Sequence, residues 1–207
     1  EHGSFMDLYW SDVDLYLRAE KFAYDGRTIE NPQIRNATCC PGDCGLCDLH
    51  LGGTDLANID VTNRCNLRCS FCFANACKRG YVYEPSFEQI VEMMRILREE
   101  RPVPVPAIQF SGGEPTLRDD LVDIIRGARD LGFLQIQLAS NGMKIARDEA
   151  LIRKLTEAGL CTLYLHFDGI SKTTEPFLEV KKQAIANCRK VNLGVVLSLI
   201  HISEPTR

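Results

Sequence analysis

The sequence predicts an α/β fold built around a parallel sheet. Five short apolar runs, at 56–61, 107–110, 134–139, 162–167 and 194–200, have strand length and read as strands buried on both faces. The stretches between them carry helical periodicity. The links are short and the units recur roughly every 30 residues, which suits a barrel or a doubly wound sheet. About four and a half such units are present, so the array reads as unfinished.

The helices follow from periodicity and end signals. Ser86-Phe87-Glu88-Gln89 has the form of a capping box, and Phe87, Ile90, Val91, Met94 and Leu97 share one helical face. Leu121, Ile124, Ile125 and Ala128 make the next stripe, ending near Gly132. Leu151, Ile152, Leu155 and Ala158 make a third, stopped at Gly159. Ala184, Ile185, Cys188 and Val191 make a fourth.

Residues 1–54 differ from the rest and read as an N-terminal extension. Asp12 and its neighbours cap a helix expected to run to about Phe22, followed by loop and a cysteine-rich turn. The barrel-like array occupies 55–196. Residues 197–207 resemble the translated read-through of a transposon-based sequencing adapter, so Ile200 and His201 carry no functional weight.

Composition narrows the function. The chain has 207 residues and a net charge of −4, which offers no broad basic surface for nucleic acid. No apolar run approaches the ~18 residues of a membrane span. Ten cysteines are the outlying feature, and seven of them fall between positions 39 and 72. Clustering of this kind, ahead of ordinary α/β sequence, favours metal binding in a reducing cytoplasm over disulfides.

The organising stretch is Cys65-Asn66-Leu67-Arg68-Cys69-Ser70-Phe71-Cys72, with C-x3-C-x2-C spacing directly after the first strand. Thiolates are soft ligands suited to iron–sulfur or zinc. A zinc site pairing Cys44 and Cys47 with Cys69 and Cys72 competes on spacing, but it leaves Cys40 and Cys65 idle. Three thiolates are one short of a closed site and leave one metal position open. Ser111-Gly112-Gly113-Glu114-Pro115 follows the second strand, and Glu114 is expected to present a carboxylate able to pair with an ammonium group. Ser140-Asn141-Gly142 ends the third strand and Asp168-Gly169 the fourth. Their polar groups suit a ribose or simply cap and turn. A second C-x3-C-x2-C lies at Cys40, Cys44 and Cys47. Cys161 and Cys188 read as small buried hydrophobes, Trp10 as core and His166 as a satisfied core histidine. His50 has no evident partner.

The cysteine loop and the Gly-Gly-Glu turn, at the ends of successive strands, resemble the radical S-adenosylmethionine (SAM) superfamily over about residues 55–196. The resemblance implies a partial (β/α)6 barrel truncated near its fifth strand. It implies a [4Fe-4S] cluster on Cys65, Cys69 and Cys72 whose open iron chelates SAM. One electron then splits SAM to a 5′-deoxyadenosyl radical, which abstracts hydrogen from an unactivated C–H bond. Gly112, Gly113 and Glu114 would contact the methionine amino group, Phe71 the adenine, and Ser140, Asn141 and Asp168 the ribose or carboxylate.

A narrower resemblance rests on Glu1-His2-Gly3, Asp7 to Asp12, Cys40 to Cys47, Asp60 to Cys69 and Gly80 to Pro85. These stretches look like the archaeal tetraether lipid synthase group, whose members join lipid alkyl chains. A related assignment within that group is a radical methyltransferase acting on a reduced pterin. The resemblance implies an auxiliary [4Fe-4S] cluster on Cys40, Cys44 and Cys47, with Cys39, Cys77 or a residue outside the chain as fourth ligand. A small structural zinc site is the alternative there. The group's rubredoxin-like knuckle would lie upstream of Glu1. Expected partners are a small-molecule or lipid substrate and a low-potential electron donor. The expected location is cytoplasmic, peripheral at the membrane if the substrate is a lipid. A non-catalytic zinc or iron–sulfur module is the reading of another class.

Overall fold

The computed structural model describes residues 11–20, 29–39, 42–43, 45–50, 52–69, 72, 76, 80–170 and 175–198. The chain divides into two compact units, Glu1–Gly53 and Thr54–Arg207.

In the first unit, α1 spans Val13–Glu20. It starts where Asp12 Oδ1 accepts a hydrogen bond from the Leu15 N–H at 2.9 Å, which satisfies one orphan donor of the first turn. The unit's other described residues include short turns tied by two acids. Asp48 accepts from the amides of Asn36 (2.7 Å) and Ala37 (3.1 Å). Asp43 accepts from the amide and hydroxyl of Thr38 and from the Cys39 amide. The Asn36 amide first, and the Thr38 amide first, hold these carboxyls below their usual range. The loops thus keep their shape through side-chain-to-backbone bonds.

The second unit is a five-stranded sheet, all parallel, in the order β1 to β5. The strands are β1 (Leu56–Thr62), β2 (Ala107–Gly112), β3 (Gln135–Ser140), β4 (Thr162–His166) and β5 (Gly194–Ser198). Sequential order is the winding of a barrel wall; a doubly wound sheet reverses direction at a switch point. That settles the alternative left open by sequence in favour of a partial (β/α) barrel. The crossovers contain α2 (Phe87–Arg98), α3 (Leu121–Asp130), α4 (Met143–Arg147), α5 (Glu149–Ala158) and α6 (Leu178–Lys190). The capping box on α2 is present in both directions, at 3.2 and 2.8 Å.

The sheet faces are not alike, contrary to strands buried on both sides. In β1, β3 and β4, buried residues alternate with more exposed ones. Ile59, Val61, Ile108, Phe110, Ile136, Leu138, Leu163 and Leu165 form one core with helix residues such as Ile90, Met94, Ile124, Ile125, Ile152, Leu155 and Ala184. The other face carries Asn58, Asp60, Gln109, Gln137, Tyr164 and His166, because period two sends alternate side chains there. Cross-strand bonds join that face: Ser111 Oγ to Asp60 Oδ1 at 2.6 Å and Gln109 Nε2 to Gln137 Oε1 at 3.2 Å.

Two other expectations need correcting. Cys188 is fully buried, as expected, and burial pushes its thiol up to about 11. Cys161 is exposed, because it precedes β4 at the outer rim of the sheet. His166 is a half-exposed residue of the polar face, not a core histidine. Phe22, Trp10 and residues 199–207 lie outside the described residues. No helix among the described residues is long and apolar enough to cross a membrane.

Candidate functional site

The site is built from the C-terminal ends of β1 to β4, where a parallel barrel gathers its loops. Its first joint is between the two motifs. The Gly113 amide donates to the Thr62 carbonyl and the Glu114 amide to the Arg64 carbonyl, each at 2.7 Å. The turn after β2 is therefore zipped onto the three residues that precede Cys65. Only glycine permits this approach. A Cβ on Gly112 would strike the Thr62 carbonyl, and one on Gly113 the Arg64 carbonyl. Gly112 also has φ +127°, which L side chains rarely adopt.

The segment entering the cysteine loop is held from its other side as well. Thr62 Oγ1 donates to Glu84 Oε1 at 2.7 Å, and Arg64 Nε pairs with the same oxygen at 2.6 Å. Asn63 exchanges bonds with the backbone of Tyr81 and Tyr83. Arg118 reaches the carbonyls of Val61 and Pro85, both at 2.8 Å, and is itself fixed by Asp120. These anchors were not found from sequence as site residues, although two of the stretches that carry the narrower resemblance meet here.

Glu114 does not face outward. It is fully buried, and its carboxylate collects four donors. Oε1 accepts from the Thr116 amide (3.1 Å), Thr116 Oγ1 (2.5 Å) and Ser140 Oγ (2.9 Å), and Oε2 accepts from the Asn141 amide (2.7 Å). Its side chain fastens the end of β3 to the end of β2. All four donors belong to the protein, so the carboxylate serves the strand ends, while Oε2, with one donor, keeps acceptor capacity for the expected ammonium group.

Ser140 and Asn141 are occupied in the same way. Ser140 Oγ also accepts from the Gly142 amide at 3.0 Å. Asn141 Nδ2 donates to Asn66 Oδ1 at 2.7 Å and lies 4.0 Å from Cys65 Sγ, while Oδ1 accepts from the Met143 amide. Asn141 thus links the end of β3 to the cysteine loop. Both residues are buried, so they shape the site through these bonds. Asp168 sits at the end of β4, half-buried, with Oδ1 3.2 Å from His166 Nε2. His166, Asp168 and Glu175 each bring a ligand atom to within 4.8 Å of one another.

Two buried charges were missed by sequence reading. Glu175 Oε2 accepts from the Asp168 amide at 3.3 Å. Lys181, on α6, donates from Nζ to the Asn141 carbonyl at 2.8 Å and lies 4.0 Å from Glu175 Oε2. Desolvation depresses the Lys181 pKa, opposed by Glu175, Asp168, Glu114 and Cys69. The signal available in sequence was the backward extension of the α6 apolar stripe, since Lys181 stands three and seven residues before Ala184 and Cys188.

Cys65, Cys69 and Cys72 stand on the loop that leaves β1, in no disulfide. The Leu67 amide points at Cys65 Sγ (3.4 Å), and the Cys72 amide donates to the Cys69 carbonyl (3.4 Å). Partial desolvation, then the charges of Cys72 and Asp168, push the Cys69 thiol up. Three soft donors on one short loop, near the Lys181 ammonium and the side-chain amide of Asn141, fit a thiolate-ligated iron–sulfur cluster. Phe71 lies outside the described residues, as do Cys40 and Cys44 of the second cysteine motif. Cys47 is buried, and its Sγ lies 3.5 Å from His50 Nδ1, which supplies the partner that sequence did not.

Comparison with known proteins bears on this arrangement. Residues 59–203 match the family model described as the Radical SAM superfamily. The chain is 52% identical over 204 residues to 7,8-dihydro-6-hydroxymethylpterin dimethyltransferase of Methanocaldococcus jannaschii, covering 95% of this chain and 40% of that protein. It is 33% identical over 144 residues to Fe-coproporphyrin III synthase of Methanosarcina barkeri, covering 67% of this chain and 35% of that protein. The chain thus spans well under half the length of these relatives. Among solved structures, methylornithine synthase (PylB) superposes with a TM-score of 0.56 at 19% identity, over 71% of this chain and 45% of that one. That likeness concerns the fold.

Proposed function

The chain belongs to the radical SAM superfamily, and from that premise we propose that it forms the cluster- and SAM-binding part of a methyltransferase acting on a reduced pterin. The observation that carries this reading is the 52% identity, over 95% of the chain, to a protein of that name. Lipid chain coupling, placed first by the sequence resemblance, gives way to it. The polar sheet face supports the change: Asn58, Tyr164 and the groups of Gln109 and Gln137 beyond their mutual bond offer donors and acceptors to a heterocycle, which an alkyl chain would not meet.

On this reading Cys65, Cys69 and Cys72 hold the [4Fe-4S] cluster. When bound, cluster and SAM together supply the reductive cleavage that starts hydrogen abstraction, with the electron coming from a low-potential donor. The protein's own work is placement. The Gly113–Glu114 backbone, whose amides lie 2.7 Å from the Thr62 and Arg64 carbonyls on the β1 exit, would form a rigid rest, with Gly112, for the methionine end of SAM. Glu114 keeps the β3 end beside it, and Asp168 remains the carboxylate nearest to hand for the ribose. Cys40, Cys44 and Cys47 hold a separate auxiliary cluster, and His50 beside Cys47 joins the candidates for its fourth ligand.

The test is anaerobic reconstitution with iron and sulfide, then SAM, dithionite and 7,8-dihydro-6-hydroxymethylpterin. 5′-Deoxyadenosine and methionine are expected from one SAM, and a pterin heavier by one or two methyl groups with a separate one-carbon donor, a second SAM (leaving S-adenosylhomocysteine) being the one supplied. Cleavage of SAM with methylation of no pterin, and deuterium transfer from a lipid instead, would return the lipid reading. A colourless, zinc-loaded protein without SAM cleavage would remove both and leave the binding module.

A further inference from the structure

Among the described residues, Lys181 and Glu175 form the most deeply buried ion pair of the second unit. Lys181 is 1% exposed and Glu175 2%. Burying an ammonium and a carboxylate costs several kcal/mol per ion after relaxation, and apolar residues of similar size are often as good or better for stability. Stability therefore does not account for the choice of a lysine in the apolar stripe of α6. Its contacts do. One ammonium touches the carbonyl of Asn141 at the end of β3, while its partner carboxylate accepts from the amide of Asp168 just beyond β4. The Asn141 peptide is then gripped from both sides, its N–H by Glu114 and its C=O by Lys181. Asn141 in turn holds Asn66 of the cysteine loop.

We infer that Lys181 and Glu175 are a positioning pair for SAM, fixing the ends of β3 and β4 at the spacing the ligand requires. The inference rests on the reading that SAM occupies these strand ends. It adds that the occupancy depends on a buried ion pair acting through the backbone of Asn141 and Asp168. Lys181 also sets a positive charge in the field of Glu114, Asp168 and Cys69, so the acids of this face do not act on an anionic cluster unopposed.

The experiment compares the reconstituted holoprotein with Lys181→Met and with the double variant Lys181→Met/Glu175→Gln. The double variant removes both charges at nearly constant volume, so no buried carboxylate is left alone. SAM is titrated into the reduced protein, and the change it causes in the electron paramagnetic resonance spectrum of the cluster is followed. Iron content, the SAM-free spectrum and the SAM-free unfolding midpoint are measured alongside. The double variant is expected to keep its iron and its SAM-free spectrum, and to need about tenfold more SAM for half-saturation, as loss of one charged hydrogen bond implies. Lys181→Met alone is expected to lose at least as much affinity. Half-saturation at the wild-type concentration in the double variant would overturn the proposal. So would failure of the double variant to fold or to retain iron, which would make the pair a core element. A wild-type protein whose spectrum ignores SAM would instead sink the underlying placement of SAM, which keeps the two failures apart.

Discussion

Glu114→Gln separates two views of the Gly-Gly-Glu turn. On the sequence view the carboxylate meets a ligand, and its loss weakens binding. In the structure it is buried and collects four donors, three on Oε1 and one on Oε2. An amide must put its NH2 at one of these positions. The cheaper orientation places it at Oε2, facing the Asn141 amide, so two donors oppose each other. One hydrogen bond to a charged group is lost, worth about 1.5–3 kcal/mol, and the buried donors left unpaired cost about 1–3 kcal/mol more. A loss of roughly 3–5 kcal/mol is a large part of a typical domain stability of about 5–15 kcal/mol. At about 2–4 °C per kcal/mol for a chain of this size, the melting point should fall by roughly 6–20 °C. The assay is urea unfolding of the SAM-free protein, with the midpoint falling and the slope m unchanged. Stability within about 1 kcal/mol of wild type, combined with weakened SAM binding, would refute the inward carboxylate.

Three further outcomes follow from the same contacts. Gly113→Ala should force the turn off Arg64 and cost about 1–3 kcal/mol or more, read as a lower urea midpoint and reduced iron after reconstitution; normal values for both would deny the zipped joint. Cys69→Ala should lower iron and sulfide content and abolish SAM cleavage, whereas Cys44→Ala should lower metal content and spare cleavage, checked by metal analysis and 5′-deoxyadenosine assay. Cys188 has a raised folded pKa of about 11 against 9.0, so it contributes nothing to the pH dependence below pH 9. As pH rises from 9 to about 11 the unfolded thiol ionises first, and stability should drop by up to about 3 kcal/mol; Cys188→Ala should flatten that alkaline slope in thermal melts, and an unchanged slope would deny the burial effect.

The strands were legible because buried apolar runs in a parallel sheet are short and separated by helical stripes. Their bounds moved by one or two residues, as with β2, which continues through Ser111 and Gly112 because those residues still pair with Asp60 and Thr62. The helix α4 was missed, since five residues are too few to display a period. Both cysteine loops and the glycine turn were visible as spacing. The contact of the glycine turn with the segment leading into Cys65 was not, because a Gly-Gly pair signals close approach without naming what approaches. The same limit explains Glu114. Sequence places a carboxylate at a strand end, but only the fold brings Ser140 and Asn141 across to take it inward. Lys181 was hidden by composition, as Lys181-Lys182 on a helix reads as a solvated face, and Lys182 indeed pairs at the surface with Glu179.

These misses share a cause that bears on how the site works. Three of the residues expected to touch a ligand through the side chain, at positions 114, 140 and 141, spend it on another strand end or on the cysteine loop. Glu114 joins β2 to β3, Asn141 joins β3 to the cysteine loop, and Glu175 with Lys181 joins β4 to β3. A ligand lying across strand ends needs them at fixed separation, because misplacement by about 1 Å can cost two orders of magnitude in rate. Parallel hydrogen bonding fixes the strands but not the loops that leave them. Buried carboxylates and amides do that here, in a region where an unmade bond is expensive and the arrangement is correspondingly rigid. On the proposed reading, contacts to the ligand would then fall to backbone groups, which no substitution removes, and to Asp168, the strand-end carboxylate that stays partly open. Variants of Glu114 or Lys181 should therefore resemble one another, weakening SAM binding by loosening the frame, while Asp168→Asn should weaken it with the SAM-free unfolding midpoint kept within about 1 kcal/mol, as for a single half-exposed group. A large fall in that midpoint for Asp168→Asn would place Asp168 in the frame as well.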